Sequence, residues 1–140
     1  MRKVDMELVL PTLDEQRTLL TSLRPRTAGL EWVIRRGVSP EPLASLLDGF
    51  DPARIVGVGP RPGYPKPEAE ATVLLCRAHR ELFARLAETG LFRVVRDPHG
   101  DRVAPTGLGF VDVGFLDGRQ RLICSTVTHA GIIHLLDPDG

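Results

Sequence analysis

Apolar positions recur along the chain with two periods, and the switches between them set the expected elements. From Val4 to Leu10 apolar and acidic residues alternate, which predicts a strand. Thr12 with Glu15 forms a capping box. It opens a helix through about Leu23, with Leu13, Leu19, Leu20 and Leu23 as its buried side. Leu30 to Ile34 predicts a second strand and holds Trp32, the single tryptophan. Ser39 and Pro40 start a short helix whose apolar side is Leu43, Leu46, Leu47 and Phe50, and Gly49 ends it. Arg54 to Val58 predicts a third strand.

The second half is expected to be organised around one long helix. At 100° per residue, Leu74, Ala78, Ala71, Leu82, Leu75 and Leu86 share one arc of Glu68 to Glu88, and Glu70, Arg77, Glu81 and Glu88 lie opposite. Pro65 and Pro67 suit its start and Thr89-Gly90 its end. A meander follows. Leu91 to Arg96 predicts a strand, and Asp97 to Asp101 a turn. Phe110 to Leu116 and Arg119 to Val127 flank Asp117-Gly118, a dipeptide favoured in two-residue hairpins. That turn would set Val113 opposite Leu122 and Val111 opposite Cys124 on the core face, with Asp112, Gly114 and Arg121 on the other. Thr128 to Gly131 reads as a turn before a last strand, Ile132 to Leu136. The expected fold is one α+β domain over residues 1–140: a mixed, mostly antiparallel sheet, its C-terminal meander packed on one long helix and two shorter ones.

Composition narrows the function classes. The chain has 140 residues, enough for one self-sufficient core. Lys+Arg and Asp+Glu are both 18, so the net charge is zero, which argues against nucleic acid as a partner. No apolar segment is long enough to span a membrane. Asp5 and Glu7 interrupt the N-terminal apolar run, so no secretory signal is read. Cys76 and Cys124 fall in apolar periodic positions and read as buried free thiols in a cytoplasmic, reducing setting.

The candidate chemistry is sparse. Gly59 to Pro67 holds four prolines and two glycines, with Arg61, Tyr64 and Lys66 between them. Gly57-Val58-Gly59-Pro60-Arg61-Pro62-Gly63 is similar to a dinucleotide-binding fingerprint, but its spacing is off by one residue and the prolines remove N–H donors. A stiff loop carrying Arg61, Tyr64 and Lys66 suits contact with a protein partner instead. In an enzyme reading, His79 or His129 would be the general base, Arg61 or Arg121 would hold an anionic group, and Ser125, Thr126 or Thr128 would supply a hydroxyl. His79 would then project from the apolar arc of the long helix. His129 and His134 belong to no H-E-x-x-H pattern and there is no Cys-x-x-Cys, so neither metal nor cofactor is expected. Asp112 and Arg121 are expected to form a cross-strand ion pair. Arg96-Asp97-Pro98-His99-Gly100-Asp101-Arg102-Val103 resembles the late D-P-x-G-N turn of glyoxalase and bleomycin-resistance proteins, but that family's metal-ligand pattern, a His or Glu near the start of each βαβββ module, has no counterpart here. The leading expectation is a small protein-binding domain, in its sharpest form an inhibitor or immunity-type protein that neutralises a cognate enzyme. The alternative is a small hydrolase or transferase using His79 or His129.

Overall fold

The computed structural model describes residues 4–64, 66–96, 99, 102–106 and 111–137. In chain order the elements are β1 (Val4–Val9), α1 (Leu13–Leu23), β2 (Gly29–Ile34), α2 (Glu41–Leu46), β3 (Ala53–Val58), β4 (Glu68–Arg77), α3 (Arg80–Thr89), β5 (Arg93–Arg96), β6 (Arg102–Thr106), β7 (Asp112–Leu116), β8 (Leu122–Val127) and β9 (Ile132–Leu136). Seven strands form one sheet in the order β1-β9-β8-β7-β2-β4-β3, and β5 pairs with β6 separately. Every pairing is antiparallel. The α+β class and the antiparallel meander are as expected.

Alternation along β2 assigns the two faces of the sheet. Leu30, Trp32 and Ile34 share a core with Leu20 and Leu23 of α1, Leu43 of α2, and Leu82 and Leu86 of α3. Val33 points the other way and packs with Tyr64, Ala71 and Val73. All three helices therefore lie on one face, and the proline-rich loop lies on the other. The capping box forms at α1: Thr12 Oγ1 accepts the Glu15 N–H at 3.2 Å, and Glu15 Oε1 accepts the Thr12 N–H at 3.1 Å.

The expected long helix over Glu68 to Glu88 is corrected. Its first half is strand β4, and only Arg80–Thr89 is helical. β4 sits between β2 and β3, with Trp32 opposite Leu74 and Leu30 opposite Cys76. A strand covered on both faces reads as a nearly continuous apolar run, without the alternation that separates strand from helix. The break falls at His79, which leaves the helical arc and becomes the N-cap of α3. Its Nδ1 accepts the Glu81 N–H at 3.0 Å.

The β7–β8 turn is also wider than two residues. Asp117 N–H donates to Arg121 O and Gln120 N–H to Asp117 O, both at 2.9 Å, with Gln120 at φ 61°. Asp117 Oδ1 accepts the N–H groups of Arg119 and Arg121, and these bonds, Arg121's first, hold its carboxyl below the usual range. The observed register places Gly114 opposite Ser125 and Phe115 opposite Cys124. The shift is by an even number of residues, so Val111, Val113 and Cys124 keep their core face. It does dissolve the expected Asp112–Arg121 pair: Arg121 Nε donates to Asp117 Oδ2 at 2.9 Å. The turn expected at Asp97 to Asp101 lies outside the described residues apart from His99.

Candidate functional site: a sealed polar row under the proline-rich loop

Arg61-Pro62-Gly63-Tyr64 is a tight turn. Tyr64 N–H donates to Arg61 O at 2.7 Å and Arg61 N–H to Tyr64 O at 3.2 Å. Proline in the second position and glycine at φ +83° in the third is a type II pattern. Directly paired residues put their side chains on the same side, so Arg61 and Tyr64 both descend onto the sheet. Gly63 lies flat on β8, where an added Cβ would come within 2.4 Å of a Val127 methyl. Gly63→Ala is therefore expected to destabilise by about 2 kcal/mol, from strain at positive φ plus overpacking. Gly59→Ala, with open space around it, should lie within about 0.5 kcal/mol of the parent in urea unfolding.

Beneath the turn a polar row crosses five strands. Glu7 on β1 pairs with His134 on β9, His134 with Ser125 on β8, Ser125 with Gly114 on β7, and Gly114 with Glu31 on β2. Gly114 leaves a gap in this row, and the Arg61 guanidinium fills it. A Cβ at Gly114 would meet Arg61 Nη2 at 2.9 Å and Glu31 Oε1 at 2.6 Å. Arg61 Nη1 donates to Glu31 Oε1, and Tyr64 OH donates to Asp112 Oδ2. Asp112 Oδ1 accepts the Thr128 N–H at 2.7 Å. The Arg35 guanidinium lies over the Tyr64 ring at 4.1 Å from its centre. Burial raises the Tyr64 hydroxyl above its usual range, and the Asp112 charge and hydrogen bond add to it.

Several polar atoms here are left over. Arg61 Nε and Nη2, Ser125 Oγ and His134 Nδ1 are buried without a hydrogen-bond partner among the described residues. Each such atom costs about 1–3 kcal/mol, more on a charged group. No family model, curated protein or solved structure matches the chain.

Glu7, His134 and Ser125 have the composition of a catalytic triad, with His134 Nε2 3.3 Å from Glu7 Oε1. The arrangement is inside out for catalysis. The acid is 52% exposed, whereas the serine is 0% exposed. A nucleophile must meet its substrate, and this hydroxyl is the sealed end. Burial also keeps Cys124 a thiol, its pKa pushed up to about 12.

Of the residues singled out from sequence, Arg61, Tyr64, Asp112, Ser125 and Thr128 meet beneath the turn, whereas Lys66, His79 and His129 lie apart from it. Arg61 is 6% and Tyr64 1% exposed, so neither is displayed to a partner, while Lys66 is exposed. Their inward aim is the work of the tight turn, which spacing alone did not reveal. His79 is exposed at the start of α3, its ring 5.7 Å from that of Phe50. His129 is exposed in the turn between β8 and β9. Among the described residues no three His, Cys, Asp or Glu side chains gather to hold a metal. Sequence reading missed Glu31 and the place of Ser125 and His134 in the row. Two signals were present: a charge inside the apolar strand Leu30-Glu31-Trp32, and a glycine inside the strand Val113-Gly114-Phe115.

A second feature lies at the sheet edge. Strand β3 has Ile55 and Val56 exposed, Val56 at 70%. Beside it is a groove of about 330 Å³ whose lining includes Arg35, Arg36, Arg54 and one acid, Glu70, with Ile34 and Leu74. Arg36 reaches Glu70 at 2.9 Å and Arg35 lies 3.7 Å from Glu68, but Arg54 has no carboxylate partner among the described residues.

Proposed function

We propose that the chain is a protein-binding domain that takes an extended, acidic segment of its partner onto the free edge of β3. The observation that carries this reading is the 70% exposure of Val56 on an edge strand beside an arginine-lined groove. An edge strand presents unpaired N–H and C=O groups, and an added strand satisfies them while its side chains set specificity. Ile55 and Val56 point to opposite faces, so a partner strand would cover apolar surface on both. Arg54 shares the groove face, where an acidic side chain would neutralise it. The usable edge is Ala53 to Val56, because the ladder shifts register after Val56 and Gly57 turns to φ +89°. An enzyme neutralised through such a segment is the narrowest form of the reading, and the buried free cysteines suit a reducing compartment for it. The opposite edge, β1, exposes Met6 and Val9, but its groove is rimmed by Asp14 and Glu15 and would repel the same segment.

Selection of peptides from a random display library on the intact protein tests this. Enriched sequences should alternate β-branched and acidic residues. Their binding should fall at least about tenfold with Val56→Lys and with Arg54→Glu, and not with Val9→Lys. Amide shifts on binding should centre on Ala53 to Val56. Peptides without acidic residues, or binding indifferent to both β3 variants in a folded protein, would rule the reading out.

A further inference from the structure

We propose that the groove between α1 and α3 is a docking site for an acidic amphipathic helix of a protein partner, which carries its carboxylates to Arg24 and Arg80 at one end and to Arg17 at the other.

The groove follows from how the two helices lie. Arg17 Nε donates to Ala87 O at 2.7 Å, so the start of α1 lies beside the end of α3. Past the end of α1, Ala28 O accepts the Ala78 N–H at 2.9 Å, just before α3 begins. The two helices are therefore antiparallel. Arg17, Thr21 and Arg24 recur at i, i+4 and i+7 along α1 and its helical C-cap, and Arg80, Ala84 and Ala87 do the same along α3. Each set is one stripe of its helix. With Leu20 and Phe83 the two stripes line a cavity of about 280 Å³.

Its charge is one-sided. Three arginines line the groove and no acid does. Asp14 lies 3.8 Å from Arg17 but is 94% exposed, so the contact offsets little of that charge. Arg24 and Arg80 are exposed and have no carboxylate partner among the described residues. Glu81, next to Arg80, is turned to Arg85 at 3.8 Å, and Glu88 is exposed outside the lining.

Shape selects a helix as the occupant. Between the charged ends the floor is apolar, with Leu20 and Phe83 buried beneath it and the small side chains of Ala84 and Ala87 at its surface. A third helix can pack closely on such a pair, and its own backbone N–H and C=O groups are already bonded. An extended segment would lay unpaired backbone on this floor, since neither helix offers a free edge. Arg17 and Arg24 are seven residues apart, about 10 Å along the axis, so acids spaced i, i+7 on the docked helix reach both ends. An acyl chain with a single charged head would answer only one end. The groove shares no lining residue with the one beside β3, so the two surfaces are independent.

The test is selection, on the intact protein, of helices randomised along one face of a stable helical scaffold, with the winners then titrated singly. Enriched helices should carry acids seven positions apart around an apolar stripe. Arg24→Glu combined with Arg80→Glu should weaken them at least about tenfold, and Ala84→Gln, which fills the floor without changing charge, at least about fivefold. Val56→Lys should leave their binding unchanged. A proline in the middle of a winning helix should abolish it. Should the double arginine variant fail to fold, Arg24→Gln alone and Ala84→Gln decide. No enrichment, winners without acids, or winners indifferent to the groove variants in a folded protein overturn the proposal. So do phosphatidylglycerol vesicles that bind through Arg24 and Arg80 and displace the helices, which would assign the groove to a membrane surface.

Discussion

Glu31→Gln is expected to destabilise the protein by about 3–5 kcal/mol, the usual cost of removing one member of a buried ion pair. The side chain accepts from Arg61 Nη1 in a place where Glu31 is 15% and Arg61 6% exposed. Two other guanidinium nitrogens have no partner among the described residues, so the pair with Glu31 is the main compensation for a buried cation. Glutamine keeps the size and one carbonyl oxygen but removes the charge. Arg61→Met should cost less, about 1–3 kcal/mol, because Glu31 retains some contact with water and the orphaned N–H groups vanish with the arginine. The double variant should recover much of the loss, since two apolar or neutral groups leave no buried charge unpaired. Urea unfolding with an unchanged m-value checks all three. If Glu31→Gln falls within about 1 kcal/mol of the parent, the pair is not effectively desolvated.

How far the sequence could be read follows from which contacts are local. The capping box of α1, Gly49 at φ +87° after α2, and Gly131 at φ +68° before β9 are set by neighbours a few residues away, and all were legible. β4 was not. Glu68, Ala69, Glu70 and Ala71 are better helix formers than strand formers, and only pairing with β2 and β3 overrides that preference. The hairpin after β7 was legible as a turn but not in its register, because the Asp117 side chain takes two backbone N–H groups and adds residues to the loop. The polar row was the least visible part. Glu7, Glu31, Arg61, Gly114, Ser125 and His134 are brought together by strand order, and β1 lies beside β9 while β2 lies between β7 and β4. Periodicity marks which side of a strand a residue occupies and says nothing about which strand stands next to it. The proline-rich loop shows the same limit. Its stiffness was legible, but the pairing of Arg61 with Tyr64 turns both side chains toward the sheet and not toward a partner.

Gln16→Leu is expected to destabilise by about 3 kcal/mol, against the ordinary preference for leucine on the inner side of an amphipathic helix. Gln16 lies on the same side of α1 as Leu20 and Leu23 and is only 2% exposed, so binary patterning alone would favour an apolar residue there. Its amide is saturated instead by backbone groups, one nearby and three from the segment after α3. Nε2 donates to Pro11 O at 3.1 Å and Phe92 O at 2.8 Å, and Oε1 accepts the N–H groups of Leu91 at 2.8 Å and Phe92 at 3.3 Å. Pro11 lies just before α1, and the Leu91 and Phe92 groups lie where the chain leaves α3, beyond Gly90 at φ +76°; a Cβ on Gly90 would sit 3.0 Å from Gln16 Oε1. One side chain thus supplies the hydrogen bonds that this non-repetitive stretch cannot make with itself. Leucine would fill the same space, exclude water and leave those groups unpaired. Gln16→Ala loses the same bonds but opens room for water to reach them, so it should cost less than leucine despite the cavity. The order Leu worse than Ala reverses the ranking for an apolar core site. It should appear both in urea midpoints and in faster amide exchange at Leu91 and Phe92. Leucine equal to or better than the parent would mean that the α1 face is held by apolar packing and that the four hydrogen bonds contribute nothing net.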